Sequence, residues 1–456
     1  MSTNWTPDLS RRGKPHYRAI ADAIADDVRA GRLGAADRLP PQRVLAQRLE
    51  LDFTTVARGY VEAQRRGLIE SRVGQGTFVA GAPARAERAA PPIADLTMNL
   101  APEPEDPALL DRMRAGVAKA SADLSTLLRY QAFGGAYLDR ETACAFLAER
   151  GLAVEPERLL ICPGTHVAFQ AVLQVLAQPG EVVACEALTY PGIRAIVARA
   201  GLSLVGIALD DEGIELDAFE AACRLHAPRV LYLNPTMLNP TASTMPEARR
   251  RGVIEIARRH RITILEDDAY GAIPREPPPA FAQLAPDITY YVSGLSKCLG
   301  AGLRIAYAVA PDARRAWALS TVMRTASVMA SPITLALATL WLRDGTGAAI
   351  LASIRAESRA RQAIAAELLP PGSYFTHPEG FHLWLALPKP WQRSAFAAEM
   401  RASCLGIVAS DAFAVSGPPP EAVRVSLGGM LSRAEVRAAL DFMAHILEGP
   451  ATLNSG

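Results

Sequence analysis

The chain has 456 residues, half of them apolar, which is enough for two or three domains with sizeable cores. No apolar run reaches membrane-span length, the polar start Met-Ser-Thr-Asn-Trp-Thr-Pro is unlike a signal peptide, and the six cysteines form neither a CxxC pair nor a metal spacing. The expectation is a cytoplasmic protein with reduced thiols, no metal site and no membrane partner. The net charge of +1 hides an asymmetry: residues 1–80 carry 13 Lys or Arg against 9 Asp or Glu, and the remainder 35 against 38. A small basic module joined to a larger, mildly acidic one hints at nucleic acid at the N-terminal end.

No internal repeat is present. Tyr17, Ile20, Ile24 and Val28 have helical spacing, which predicts a helix from Pro15 to about Ala30, ended by Gly31 and Gly34. Pro40 and Pro41 start a second helix, Gln42–Leu49. Thr54 is expected to cap a third, running to about Arg66 with Gly67 at its end. Leu68–Arg72 and Thr77–Ala80 then flank Gly74-Gln75-Gly76 as a short hairpin. Three helices and a hairpin make a winged helix-turn-helix over residues 14–80. Its third helix presents Thr54, Thr55 and Arg58 at the end that enters a major groove. Arg43 opens the preceding helix and is placed for a phosphate, and Gln75 and Gly76 sit where a wing tip meets a minor groove. Single arginines such as Arg65 or Arg66 read equally well as a solvated helix face.

Residues 81–93 hold Ala, Pro, Arg and Glu with almost nothing to bury, and read as a fairly stiff linker. From residue 94 apolar strand-like runs appear at Leu159–Cys162, Val182–Cys185, Leu204–Ala208, Val230–Leu233, Ile262–Leu265, Tyr290–Val292 and Ile305–Val309, with helical segments between most of them. That alternation predicts βαβ units and a mostly parallel sheet covered on both faces, in a large lobe of about residues 135–325. The last hundred residues mix helices around Ile350–Leu369, Trp391–Cys404 and Arg433–Ile446 with strands Phe381–Leu387 and Val423–Leu427. They read as a smaller α+β lobe.

Arginine supplies nearly all of the positive charge. Only Lys14, Lys119, Lys297 and Lys389 are lysine, and Lys297 alone follows a strand-like run, in Ser-Gly-Leu-Ser-Lys-Cys-Leu-Gly-Ala-Gly-Leu-Arg. An amine can lose its proton and attack a carbonyl, whereas a guanidinium cannot. With Arg304 seven residues on, Lys297 suits a Schiff base to an aldehyde cofactor that carries a phosphate. Taken alone, the segment reads as well as a surface loop. Pro163-Gly164-Thr165-His166 follows a strand and opens a helix, where unpaired N–H groups and the helix dipole favour a phosphate. Leu265-Glu266-Asp267-Asp268-Ala269-Tyr270 ends another strand with a carboxylate pair.

Residues 16–80 resemble the GntR family of winged-helix regulators, through Asp37-Arg38-Leu39-Pro40-Pro41-Gln42-Arg43, Thr54-Thr55-Val56, Gly67-Leu68-Ile69 and Gly74-Gln75-Gly76-Thr77-Phe78-Val79. The rest resembles the aspartate-aminotransferase fold of fold-type I pyridoxal-phosphate proteins, with its motifs in that family's order. The resemblance implies pyridoxal 5'-phosphate on Lys297, with Thr165, Ser296 and Arg304 at the phosphate. His166 stands where relatives often have Gln or Gly, and a packing histidine is an equal reading. The resemblance puts Tyr190 against the ring and Asn239 and Tyr270 at the phenolate oxygen. Asp267 falls at the ring nitrogen, with Asp268 as the competing candidate. Ala242 replaces a usual glycine, and Gly294 a usual serine. Tyr130 matches a tyrosine that reaches the neighbouring subunit's phosphate, which implies a homodimer. Arg424 matches the arginine that binds an α-carboxylate.

From end to end the chain resembles the MocR family, a GntR-type winged helix joined to an aminotransferase-like domain. The implied function is a regulator that binds double-stranded DNA and senses a small amine, an amino acid or the cofactor. The alternative is a working aminotransferase with an accessory DNA-binding module. Retention of Lys297, Asp267, Arg304 and Arg424 argues against a purely DNA-binding protein with a dead second domain.

Overall fold

A computed structural model describes residues 5–7, 9, 15–30, 32–34, 37–66, 68–72, 76–79, 98–403 and 406–448. The chain forms two compact units, Met1–Ala94 and Asp95–Gly456.

In the first unit, α1 (His16–Arg29), α2 (Gln42–Leu49) and α3 (Phe53–Arg65) precede a hairpin of β1 (Ile69–Arg72) and β2 (Gly76–Val79). Ile20, Ile24, Leu45, Val56, Tyr60 and Ile69 form its core. Gly59 lets α1 and α3 pack closely, since a Cβ there would lie 3.1 Å from Ile20 and 3.2 Å from the Tyr17 carbonyl. The Tyr60 hydroxyl donates to the Pro40 carbonyl at 2.7 Å and so fixes the approach to α2. The hairpin pairs Ile69 with Val79 and Arg72 with Gly76. Leu39 N–H donates to Thr77 O and Val79 N–H to Asp37 O, which ties the hairpin to the segment before α2.

The second unit opens with three helices, α4 (Pro107–Ala120), α5 (Leu124–Leu127) and α6 (Tyr137–Glu149). Then β3 (Leu159–Cys162), α7 (Thr165–Leu176), β4 (Val182–Glu186), α8 (Pro191–Arg199) and β5 (Ser203–Ile207) alternate. A two-residue pair, β6 (Leu209–Asp210) and β7 (Gly213–Ile214), leads into α9 (Leu216–His226), β8 (Val230–Leu233), α10 (Glu247–His260) and β9 (Thr263–Asp267). After α11 (Phe281–Leu284) come β10 (Thr289–Gly294) and β11 (Ala306–Val309). One seven-stranded sheet results, in the order β3-β11-β10-β9-β8-β4-β5. Only β11 runs antiparallel to its neighbours. Strands β3, β8 and β10 are buried at every residue, which is why they read as continuous apolar runs rather than alternating ones.

Helices α12 (Ala313–Ser327), α13 (Pro332–Arg343) and the long α14 (Thr346–Leu368) lead to the smaller lobe. There β12 (Tyr374–Thr376), β13 (His382–Ala386), α15 (Arg393–Glu399), β14 (Gly406–Ala409), β15 (Ala422–Ser426) and α16 (Arg433–Glu448) build a four-stranded antiparallel sheet, ordered β12-β13-β15-β14. The helix expected over Trp391–Cys404 is shorter and tightens into a 3₁₀ turn at Met400–Ser403. Among the described residues no helix is long and apolar enough to cross a membrane.

Candidate functional site

The third helix of the first unit starts at Phe53, two residues before the start that a Thr54 cap implies, and Thr54 is not its cap. Asp52 takes that position: its carboxylate accepts the Thr54 N–H at 2.8 Å and also the Thr54 hydroxyl. These bonds hold the Asp52 pKa below its ordinary value. A carboxylate is the stronger acceptor for the orphan N–H groups of a first turn, so it wins over the hydroxyl. Thr54 and Arg58 are exposed, and Thr55 is half-buried. The Arg58 guanidinium lies 4.8 Å from the Tyr17 ring centroid, and that of Arg43 lies 5.9 Å from the Phe53 ring. Arg43 is thus held on an aromatic face at the start of α2, and Arg58 on one near the middle of α3. Gly76 lies inside β2 at φ +116°, with the Arg38 side chain 2.9 Å from where a Cβ would stand. Gln75 and the linker at 81–93 lie outside the described residues.

In the second unit a cavity of about 400 Å³ opens where β8, β9 and β10 end and β15 faces them. It brings together seven of the residues singled out above: Thr165, Tyr190, Asn239, Asp267, Tyr270, Lys297 and Arg424. Ligands of open α/β sheets bind at such carboxyl ends. Lost hydration pushes the Lys297 amine down to about 8; Arg424 and Arg304 add to this, and Asp267 opposes it. The amine donates to the Asn99 carbonyl and stands 5.8 Å from the Tyr270 ring centroid.

Asp267 is buried, and burial pushes its carboxyl up to about 7. It accepts the Tyr232 hydroxyl at 2.6 Å and the Ala269 N–H at 3.2 Å. Asp268 goes elsewhere: it pairs with Arg150 Nε at 3.0 Å, accepts the Tyr291 hydroxyl at 3.0 Å, and does not line this cavity. Neighbouring side chains at a strand end point to opposite sides, which separates the two carboxylates. Asn239 accepts from Arg424 Nη1 at 3.0 Å through Oδ1, which leaves its amide N–H₂ available as a donor. Ala242 holds φ +61°, a left-handed turn that favours glycine.

Helix α7 begins after Gly164, at φ +99°, and a Cβ on Gly164 would lie 2.5 Å from Arg304 Nη2. The exposed guanidinium of Arg304 therefore rests against the bare backbone at a helix N-terminus, a cradle shaped for an anion. Gly294 also has a local cause, since a Cβ there would lie 2.9 Å from the Thr165 methyl. His166, Ser296 and Arg304 do not line the cavity. His166 Nε2 is 2.8 Å from the Tyr190 hydroxyl, and Ser296 is half-buried beside Lys297. Tyr130 is 84% exposed, and Leu128, Tyr137 and Leu138, close to it in sequence, are exposed as well.

Four further residues shape the cavity without having been singled out in the sequence. Asn99 is buried; its amide N–H₂ meets the Tyr270 hydroxyl and His382 Nδ1, both at 3.0 Å, and its Oδ1 accepts from Ser426 at 3.1 Å. His382 is pushed down to about 3 by burial and then by Arg424, so the ring is neutral. Asn234 donates to the Asp267 carbonyl at 2.7 Å and accepts the Asn239 N–H at 2.9 Å. Glu186, buried and pushed up to about 7, accepts the Asn234 N–H at 2.6 Å and the Thr189 hydroxyl at 3.1 Å. Asn99 and His382 carry no local signature.

Residues 16–79 match the gntR family of bacterial regulatory proteins, and residues 95–443 match the class I and II aminotransferases. The chain is 26% identical over 453 residues to the uncharacterized HTH-type transcriptional regulator YdeF of Bacillus subtilis, covering 98% of this chain and 97% of that one. It is 27% identical over 328 residues to the probable rhizopine catabolism regulatory protein MocR of Rhizobium meliloti, covering 65% and 66%. The α-aminoadipate aminotransferase LysN of Thermus thermophilus, solved with N-(5'-phosphopyridoxyl)-L-leucine, has the same fold: TM-score 0.69 and 22% identity over 77% of this chain and 91% of that one. With its sheet order, its cavity and the greater part of its length in accord, the chain belongs to the class I and II aminotransferase family and carries a gntR-family helix-turn-helix domain ahead of it.

Proposed function

We propose that this chain is a MocR-type transcriptional regulator that holds pyridoxal 5'-phosphate and reads a small amine or amino acid through it. The observation that carries the reading is the convergence of a desolvated lysine, a buried carboxyl and a buried arginine on one cavity, in a chain that also bears a DNA-binding fold.

The cavity fits the cofactor. Gly164, Thr165 and Arg304 offer the phosphate cradle, with Ser296 and His166 beside it. Tyr190 offers a ring face, Asp267 a carboxylate for the ring nitrogen, and Asn239 and Tyr270 donors for the phenolate oxygen. Bound there, pyridoxal phosphate supplies an electrophilic aldehyde and an electron-withdrawing ring. Lys297 is the amine that would carry it; poor solvation lowers its pKa to about 8, so roughly half of the free amine is unprotonated at that pH. Burial disfavours the ionised form of Asp267, and a cationic partner at the ring nitrogen would restore it. Tyr232 and Asn234 hold it in place, and Glu186 holds Asn234. Arg424, on the small lobe, takes the carboxylate of an amino-acid effector, so a bound effector spans both lobes. The apolar face around Tyr130 is the surface of a homodimer in which Tyr130 reaches the second copy's cradle.

On the DNA side, Thr54, Thr55 and Arg58 face a major groove, Arg43 a phosphate, and Gln75 and Gly76 a minor groove. Coupling requires differential affinity of the effector for two states, typically ~1–3 kcal/mol. The right amine changes operator affinity, and operator DNA changes amine affinity by the same factor. Titrating amines that alter the cofactor's visible absorbance into the protein–operator complex tests this. Arg424→Ala abolishes the response to an effector with an α-carboxylate and spares the response to a simple amine. If neither DNA affinity nor DNA bend moves while the same amine is turned over, the chain is an aminotransferase with an accessory module.

A further inference from the structure

A second cavity, of about 450 Å³, shares no lining residue with the first. It lies between α6, α14 and the loop after Tyr270. Its size is in the range of small-molecule sites. Three guanidinium groups line it, those of Arg150, Arg275 and Arg355. Arg150 is buried; Nε is bonded to Asp268 and Nη1 donates to the Pro278 carbonyl at 2.9 Å, but Nη2 is buried without a hydrogen-bond partner. Arg355 donates to the carbonyls of Ile273 and Ala272, both at 2.8 Å. The nearby carboxylate, Glu379, is engaged by Arg275 at 3.2 Å and Arg359 at 2.6 Å. Among the described residues Arg355 has no ion-pair partner. Asp268 meets the charge of Arg150, so Arg150 contributes an unused donor, and Arg355 contributes a charge that has only a share in Glu379, which Arg275 and Arg359 already engage. A buried donor left unmet is costly, and an anion offered to both groups relieves it. At the rim stand two exposed carboxylates, Glu149 and Glu276, beside the exposed Arg275, whose own charge Glu379 meets.

A positive floor and a negative rim select a molecule with one charge of each sign. We propose that this cavity is a second ligand site, for a small zwitterion whose carboxylate meets Arg150 and Arg355 and whose cationic end lies at Glu149 and Glu276. The site goes beyond the cofactor reading and does not depend on it. It also abuts the cofactor cavity: Arg150 holds Asp268, the residue next to Asp267.

The test is calorimetric titration of 4-(trimethylammonio)butanoate into the full-length, cofactor-loaded protein. Its quaternary nitrogen cannot condense with an aldehyde, so amine exchange at Lys297 contributes nothing. The expected result is saturable binding that Arg355→Met weakens about tenfold or more, the loss for one charge-assisted contact. Arg424→Met leaves it unchanged, and choline, which lacks the carboxylate, does not bind. Arg355→Met also frees two carbonyls, so Ala348→Phe, which fills the cavity from α14 and keeps those bonds, is the second variant. It should abolish binding and keep the cofactor's visible spectrum. The proposal is overturned by no saturable binding at ~10 mM probe, by equal binding of choline, or by binding that survives Ala348→Phe and is lost in Arg424→Met.

Discussion

Replacing Asp267 with Asn separates two opposed contributions of one carboxyl. Burial raises its pKa from 3.8 to about 7, against the Tyr232 hydrogen bond. An acid whose folded pKa lies above its unfolded one is held protonated by the fold. The cofactor-free protein therefore loses stability as pH rises from about 4 to about 7, and the loss is complete above that. A shift of roughly three units, at ~1.4 kcal/mol per unit, sets a ceiling of ~4 kcal/mol on the loss. Asparagine carries no charge to bury, so cofactor-free Asp267→Asn melts higher than the parent at pH 8 and close to it at pH 4. Cofactor binding moves the other way. The ring nitrogen loses a charged partner worth ~1.5–3 kcal/mol, and affinity falls roughly 10- to 150-fold. Asp268→Asn acts on stability alone, because Arg150 is left buried and unpaired at a cost of ~3–5 kcal/mol. That variant is destabilised with or without cofactor, and its folded fraction binds cofactor as before. Melting curves with and without cofactor at pH 4 and pH 8, together with a spectrophotometric cofactor titration, read all four quantities. An Asp267→Asn protein that binds cofactor as tightly as the parent, or is less stable without it at pH 8, refutes the reasoning.

Other expected outcomes follow from single residues. Borohydride fixes the cofactor to Lys297, and attachment speeds up with pH and levels off above about 8, where the amine has lost its proton; a reducible adduct on another lysine in Lys297→Ala contradicts the assignment. Thr55→Ala and Arg58→Ala each weaken operator binding by ~1–3 kcal/mol in a gel-shift titration and leave the cofactor spectrum unchanged, while Arg43→Ala lowers the slope of log affinity against log salt by about one. Unaltered affinity in all three removes α3 from the DNA interface. Ala242→Gly relieves a left-handed alanine and raises stability by up to ~1 kcal/mol in urea unfolding; a loss instead means that the buried methyl packs better than glycine's freedom repays.

What the sequence discloses depends on how local the cause is. Strands β3, β8 and β10 of the large sheet are legible because both faces are buried, so each reads as a largely apolar run. Lys297, Asp267 and Asn239 are legible because each sits in a short motif at a strand end. The cap of α3 is not, because Asp52 and Thr54 both belong to the capping residues and only geometry separates them. The strands Tyr374–Thr376 and Gly406–Ala409 escape notice because both lie at sheet edges, mostly half-buried, and lack a clean alternation. The choice between Asp267 and Asp268 is invisible in a row of carboxylates until Arg150, 118 residues away, takes one of them. Asn99 is further still from His382, at 283 residues, and no local pattern marks either residue.

Asn239 gives the proposed sensing its physical logic. Its Oδ1 accepts from Arg424 on β15, and its remaining N–H donors are free for a cofactor oxygen. One side chain thus stands between the arginine of the small lobe and the ring site of the large lobe. A carboxylate arriving at Arg424 competes with Asn239 Oδ1 for the same guanidinium. The amide then re-forms its bonds or turns, and either response alters the donor offered to the ring. Lys297 is the other end of the same exchange, since Arg424 is the first charged group that depresses its amine, after burial itself. A carboxylate that neutralises Arg424 lets the amine regain a proton and become a poorer nucleophile, which favours the newly arrived amine over Lys297. The two halves of an amino acid, carboxylate and amine, therefore reinforce one another at this site. A simple amine receives only half of that advantage, so discrimination in favour of amino acids follows from the placement of one arginine and one asparagine.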